Sequence, residues 1–269
     1  FKALILGCVF GYPLMLLIFF FFSRTPGYWW LFSALLFFTI QLFMTFLFPV
    51  VIFPIFFKQK KVEDAQLVMK VKELFEKAHI MLEGIFSFNL SSKTQRENAA
   101  LAGLWKTRRV LLADTLLQRK TTAEILTVLA HEVGHHLKNH MVKLLGIAFT
   151  SSVVLLFALS RVMNLWSGFP DNLEKTLAIF PIFILISGLL SLPIGIGTNA
   201  YSRLKELEAD RTALDLTHDS VSFINVMKGL TESNLLLAYP NQLRVILFHS
   251  HPPVGKRVEL AGMYNSTIV

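Results

Sequence analysis

Residues 131 to 135 read HEVGH. His131 and His135 are four apart, so on an α-helix their imidazoles stand on one face, one turn from each other, and both can bind a single metal ion. Glu132 sits beside them and can exchange a proton with a water in the same site. A five-residue match alone also fits a helix with scattered polar residues. A catalytic zinc takes three protein ligands and keeps one position open. Nothing suitable follows His135 closely, so the third ligand is sought in KELEADRTALD, where Glu206 and Asp210 are one turn apart on one helix face. Glu206 can ligate while Asp210 accepts the outer N–H of a ligand histidine and fixes its tautomer. Taken alone, such a pair is as often a solvated face. On a continuous helix His136 and His140 point away from the His131/His135 face and read as solvent or headgroup contacts, and Glu208, far round from Glu206 and Asp210, reads as facing water. His251, followed by Pro252 and Pro253 and six residues later by Arg257, can present an imidazole and a guanidinium together to an oxyanion. Its spacing fits an ordinary polar turn equally well.

These residues need elements to hold them. Thr121, with Glu124 three residues on, is a capping box, and Ile125, Leu126, Leu129 and Val133 keep helical phase behind it. The rest of the chain is made largely for lipid. Of its 269 residues 54% are hydrophobic, 25 are Phe and only 16% are charged, so an ordinary soluble domain is excluded. Ala3 to Phe22 is an apolar run of about 20 residues, long enough for the roughly 30 Å hydrocarbon core. Trp29 to Phe57 is a second, opened by Trp29 and Trp30 and kinked or ended near Pro49 and Pro54. Leu144 to Leu159 and Leu177 to Gly197 form a hairpin of two more.

Between the runs the texture changes. From Lys58 to Gly84 charge alternates with Val62, Leu67, Val71, Leu74 and Phe75, the pattern of a water-exposed amphipathic helix. Residues 98 to 117 suggest two short strands around a basic turn at Lys106 to Arg109. The expected fold is mainly α: a multi-span membrane protein with four transmembrane helices, plus a metalloprotease domain of amphipathic helices and a short β element. Its divisions are 1–57, two transmembrane helices; 58–140, a cytoplasmic-side protease segment with the HExxH helix; 141–198, a transmembrane hairpin; and 199–269, a protease segment with the third ligand. HExxH directly before the hairpin and Glu206 directly after it lie on one side, which shifts the Glu206/Asp210 pair toward a site.

The formal charge is +8, and the basic residues gather beside apolar runs without the aromatic interleaving of a nucleic-acid surface, so no nucleic-acid partner is expected. Lys2, Lys58, Lys60, Lys61, Lys138, Lys143, Arg203 and Lys205 outnumber Arg24, Arg161 and Lys175 opposite, placing the charged segments in the cytoplasm. The single cysteine, Cys8, excludes a disulfide framework and a cysteine zinc site.

The chain resembles the type I CAAX prenyl proteases, integral-membrane zinc metallopeptidases of the gluzincin kind. The likeness runs through FPVVIFPIFF, NAALAG, RRVLLADTLL, TTAEILTVLAHEVGHHLKNH, ELEAD and HSHPPVGKRVE in order. It implies one zinc on His131, His135 and Glu206, Glu132 as general base, Asp210 behind the ligands, and His251 and Arg257 lining the site. It further implies that the Asn98, Ala99 strand edge pairs with the substrate backbone. Two departures stand out. The family has seven spans around an intramembrane chamber where four are counted here, so a piece lacking its first spans is expected. Ala100 stands where the family usually has Tyr.

The expected function is a membrane-embedded zinc endopeptidase that removes C-terminal peptides from prenylated substrates, with peptide or protein and the lipid bilayer as partners. One rival is a membrane-protein quality-control metalloprotease, favoured if the source lacks protein prenylation. The other is a non-catalytic scaffold whose zinc is closed by a fourth ligand, for which His136 and His140 are the spares.

Overall fold

The apolar runs become helices. The computed structural model describes residues 2–47, 51, 53–103, 108–166, 173–233 and 237–268. Its chain divides into two compact units, Phe1–Leu42 with Leu145–Gly195, and Phe43–Leu144 with Ile196–Val269. In chain order the helices begin with α1 (Lys2–Arg24), α2 (Trp29–Leu47) and the single turn α3 (Phe53–Phe56). The second apolar run is thus not one helix to Phe57: α2 stops at Leu47 and the chain resumes helix at Phe53, while Pro49 lies outside the described residues.

A strand, β1 (Gln59–Lys61), then precedes α4 (Ala65–Lys77). The amphipathic helix is shorter than its charge pattern implies because Asp64 caps it, its Oδ1 accepting from the N–H groups of Gln66 and Leu67 at 3.0 and 3.1 Å. Val62 therefore lies outside the helix, and its N–H donates to Ile85 O at 3.1 Å. Next come β2 (Gly84–Phe88), β3 (Ala99–Ala102), β4 (Arg109–Ala113) and α5 (Asp114–Arg119). The two short strands between residues 98 and 117 form. Arg109 opens β4 instead of closing a turn, residues 104–107 are outside the described residues, and DTLL is helical. The sheet order is β1-β2-β4-β3, with β2 and β4 parallel and the outer pairs antiparallel, which leaves β3 on an edge.

The site helix α6 (Thr122–Leu137) starts at a complete capping box: the Thr121 N–H donates to Glu124 Oε2 at 2.8 Å and the Glu124 N–H donates to Thr121 Oγ1 at 3.3 Å. It is followed by α7 (His140–Trp166), α8 (Leu173–Thr217), α9 (Ser220–Ser233), α10 (Gln242–Phe248) and α11 (Val254–Ile268). Among the described residues α1, α2, α7 and α8 are long and apolar enough to cross a membrane. The molecule is a mainly helical, multi-span membrane protein with a small sheet. Its sequence changes from apolar to charged near residue 199, yet α8 runs unbroken across that point.

Each unit has its own core. In the first, Trp29, Ala34, Leu156, Leu159 and Met163 are buried, and Phe22 stacks on Trp29 with ring centroids 4.2 Å apart. In the second, one cluster joins Leu67, Val71 and Phe75 of α4, Val110 to Leu112 of β4, Leu129 and Val133 of α6, and Phe223 and Val226 of α9. Full burial of such a side chain is worth roughly 1.5–3 kcal/mol, so α6 is held on several sides.

Candidate active site

Two helices supply the candidate metal ligands. His131 and His135 come from α6 and Glu206 from α8, and one ligand atom from each lies within 4.8 Å of the other two. Gly134 makes the helix approach possible. A Cβ added there would stand 3.0 Å from both the Cα and the carbonyl oxygen of Ala209, backbone atoms that cannot swing aside. His131 Nε2 and His135 Nε2 are 3.1 Å apart and each is 3.3 Å from a Glu206 oxygen.

Two imidazole nitrogens and a carboxylate aimed at one point are a donor set suited to zinc. The buried Glu206 Oε2 lies within ion-pair reach of His131 and His251 but accepts no aligned hydrogen bond, as expected of an atom whose lone pair is meant for a cation. Burial alone would lower the His131 pKa, but the Asp210 and Glu206 carboxylates outweigh it and raise the ring to about 9, so the place favours positive charge. Burial also raises the Glu132 carboxyl, against the pull of His131 and His135.

Behind the three donors stand two polar chains. Asp210, fully buried, places Oδ1 2.9 Å from His131 Nδ1, off the line of a hydrogen bond, and accepts from Arg257 Nε at 2.7 Å and from Nη2. Arg257 is itself buried, its Nε and Nη2 are held by Asp210, and no hydrogen bond from its Nη1 is found among the described residues; it is not a free guanidinium beside His251. His251 is 63% exposed at its side chain and sets Nδ1 3.0 Å from Glu206 Oε2.

The second chain was not foreseen. His140, only 1% exposed, puts Nδ1 3.0 Å from His135 Nδ1 and Nε2 3.0 Å from Glu208 Oε2, and Lys205 donates to the other Glu208 oxygen. Neither His140 nor Glu208 simply faces water. The reason lies at Asn139, which takes φ 52° and ends α6, so that α7 brings His140 back against His135. An Asn just past the last apolar position of a helix, here two residues after Leu137, is the sequence signal for such a stop.

His131 and Glu206 open on a cavity of about 270 Å³ with apolar walls from Leu116, Val128, Phe223, Val226 and Met227. Glu132, His251 and Arg257 face it, as do Asn98 and Ala99 at the start of edge strand β3. Glu97, beside them, is buried and paired with Lys120 Nζ at 3.6 Å. The cavity thus gathers His131, Glu132, Glu206, His251, Arg257, Asn98 and Ala99, while Asp210 stands behind it.

Known proteins share this plan. The profile of peptidase family M48 matches residues 61–262, and that of the CAAX prenyl protease N-terminal region, five membrane helices, matches residues 1–58. The chain is 29% identical over 244 residues to the uncharacterized metalloprotease YhfN of Bacillus subtilis, covering 89% of this chain and 57% of that protein. It is 28% identical to CAAX prenyl protease 1 of Saccharomyces cerevisiae, covering 96% of this chain and 61% of the yeast protein. The crystal structure of S. mikatae Ste24p superposes with a TM-score of 0.85 at 26% identity, covering 97% of this chain and 64% of that one. The chain therefore spans about three fifths of the length of these relatives. With the M48 profile covering most of its length, the chain belongs to peptidase family M48.

Proposed function

We propose that the protein is a zinc endopeptidase that cuts C-terminal peptides from prenylated, CAAX-type substrates at the cytoplasmic face of a membrane. The observation that carries this reading is the convergence of His131, His135 and Glu206 on one point, beside Glu132, in an apolar-walled cavity bordered by a sheet edge. His131, His135 and Glu206 would hold a zinc ion, which when bound would supply Lewis-acid polarisation of a scissile carbonyl and of a water.

The chain's own groups do the rest. Glu132 takes the water's proton and later passes it to the leaving amine. His251, through Nε2, and Arg257, through Nη1, donate to the developing oxyanion. His140, bonded to His135 Nδ1, keeps that ring in the tautomer that leaves Nε2 free to ligate, and the Asp210 carboxylate beside His131 Nδ1 favours the proton on that nitrogen. The substrate backbone adds to β3 along Asn98 and Ala99, and the apolar wall receives its aliphatic side chain. Residues 1–57 and 141–198 embed the enzyme, and 58–140 and 199–269 carry its site on the cytoplasmic side, in accord with the excess of lysine and arginine there.

Glu132→Gln tests the mechanism. It should keep zinc, measured by metal analysis of the purified protein, and lower cleavage of a farnesylated CAAX peptide by about 10²–10⁴-fold. Wild-type turnover in that variant would falsify the role of Glu132.

A further inference from the structure

A second cavity, of about 660 Å³, adjoins the one at the metal donors and shares Leu230, His251 and Arg257 with it. Arg96 and Arg244 line it. Other arginines nearby are already engaged: Arg119 donates to Gln95 O and Oε1, Arg203 to the carbonyls of Val245 and His249, and Arg257 to Asp210. Arg96 and Arg244 have no carboxylate partner among the described residues.

Their backbones are nonetheless fixed. The Arg96 carbonyl accepts from Thr115 Oγ1 at 2.7 Å, and Arg203 pins the C-terminal end of α10, which carries Arg244. Glu97, next to Arg96 in sequence, is paired with Lys120, so its charge is already countered. Two exposed guanidinium groups, carried on fixed backbone and lining one cavity beside the site, form a place for a small anion.

The position of Arg96 says which anion. A peptide running antiparallel to β3, the better-bonded arrangement on a sheet edge, lays the residues beyond its cut opposite Asn98 and then opposite the residues preceding it. Arg96 is two residues before Asn98, about 7 Å along an extended backbone. If the first leaving residue lies opposite Asn98, the third lies opposite Arg96. Cleavage after the prenylated Cys of a C-a-a-X terminus releases three residues, the last bearing the free α-carboxylate.

We infer that Arg96 and Arg244 form a subsite for the substrate's C-terminal carboxylate, which sets the distance from cut to chain end at three residues. This rests on the proposed C-terminal peptidase reading. The subsite turns an endopeptidase cavity into one that measures from the chain end, since an amide or a longer tail leaves the arginines without their anion.

The test compares kcat/KM for one farnesylated CAAX peptide as free acid, as C-terminal amide, and extended by two residues. The wild type should favour the acid by about 10–100-fold, the worth of one or two charge-assisted hydrogen bonds. In Arg96→Ala/Arg244→Ala the acid-to-amide ratio should fall to within about threefold of unity, and in Arg96→Glu/Arg244→Glu below unity. Equal wild-type cleavage of acid and amide overturns the subsite and leaves the peptidase reading standing, as does a preference that survives both variants. Failure to cleave any of the three peptides overturns the peptidase reading and the subsite with it.

Discussion

The two units differ in how far their polar side chains reach: local bonds from hydroxyls to the helix backbone occur in both, and the second adds long-range ones. In the first, the hydroxyls of Thr39, Thr150, Ser160, Ser187 and Ser191 each donate to a carbonyl three or four residues back in their own helix. Exposed large apolar residues such as Val9, Leu16 and Leu189 stand outward, as a lipid solvent requires. In the second, buried polar groups reach across the chain: Arg257 to Asp210 over 47 residues, His140 to Glu208 over 68, Arg203 to His249 over 46. A local bond satisfies a hydroxyl but specifies no neighbour. A long-range bond between buried charged groups ties elements together and leaves an exposed debt when either partner goes.

That contrast can be broken by mutation. Asp210→Ala leaves the Arg257 guanidinium buried without its carboxylate and should destabilise the second unit by about 3–5 kcal/mol, read by denaturation in detergent. The double change Asp210→Leu/Arg257→Met should cost less than the single one, and a larger cost would show that the pair does more than neutralise itself. His140→Ala removes the group that orients His135 and should weaken zinc binding about 10–100-fold in a chelator competition, with Glu208→Gln in the same direction and smaller. Gly134→Ala forces α6 away from Ala209 of α8 and should cost about 1–3 kcal/mol, with a matching drop in zinc affinity. Thr150→Val, which removes only a bond to the Gly146 carbonyl, should stay within about 0.5 kcal/mol of wild type. A Thr150 cost equal to that of Asp210 would erase the distinction between the units.

The readable parts of the fold were those with a strong local period or cap. Four apolar runs announced four membrane helices, and Thr121 with Glu124 marked the start of α6 to the residue. Glu206 and Asp210 were singled out by their spacing together with their place straight after the membrane hairpin, and in the structure Asp210 Oδ1 stands 2.9 Å from His131 Nδ1. Strands β1 and β2 stayed hidden because each is short and its partner is remote in sequence: Gln59 pairs with Phe88, and Gly84 with Arg109. His140 was misread for a related reason. Counting 100° per residue through Lys138 and Asn139 assumes one helix, and the left-handed turn at Asn139 cancels that count. The bond between Arg257 and Asp210 was not legible because the two lie 47 residues apart, beyond the reach of any local pattern.

The unbroken course of α8 gives the metal donors a phase as well as a place. An α-helix turns about 100° and rises about 1.5 Å with each residue. One residue inserted between Asn199 and Arg203 would rotate Glu206, Glu208 and Asp210 together, keeping their mutual spacing while carrying all three off His131, His135 and His140. Four inserted residues would bring the face back to within about 40° of its bearing but some 6 Å further along the axis. The helix that holds the third donor is therefore a screw thread, and along that stretch its length is as much a part of the site as its chemistry.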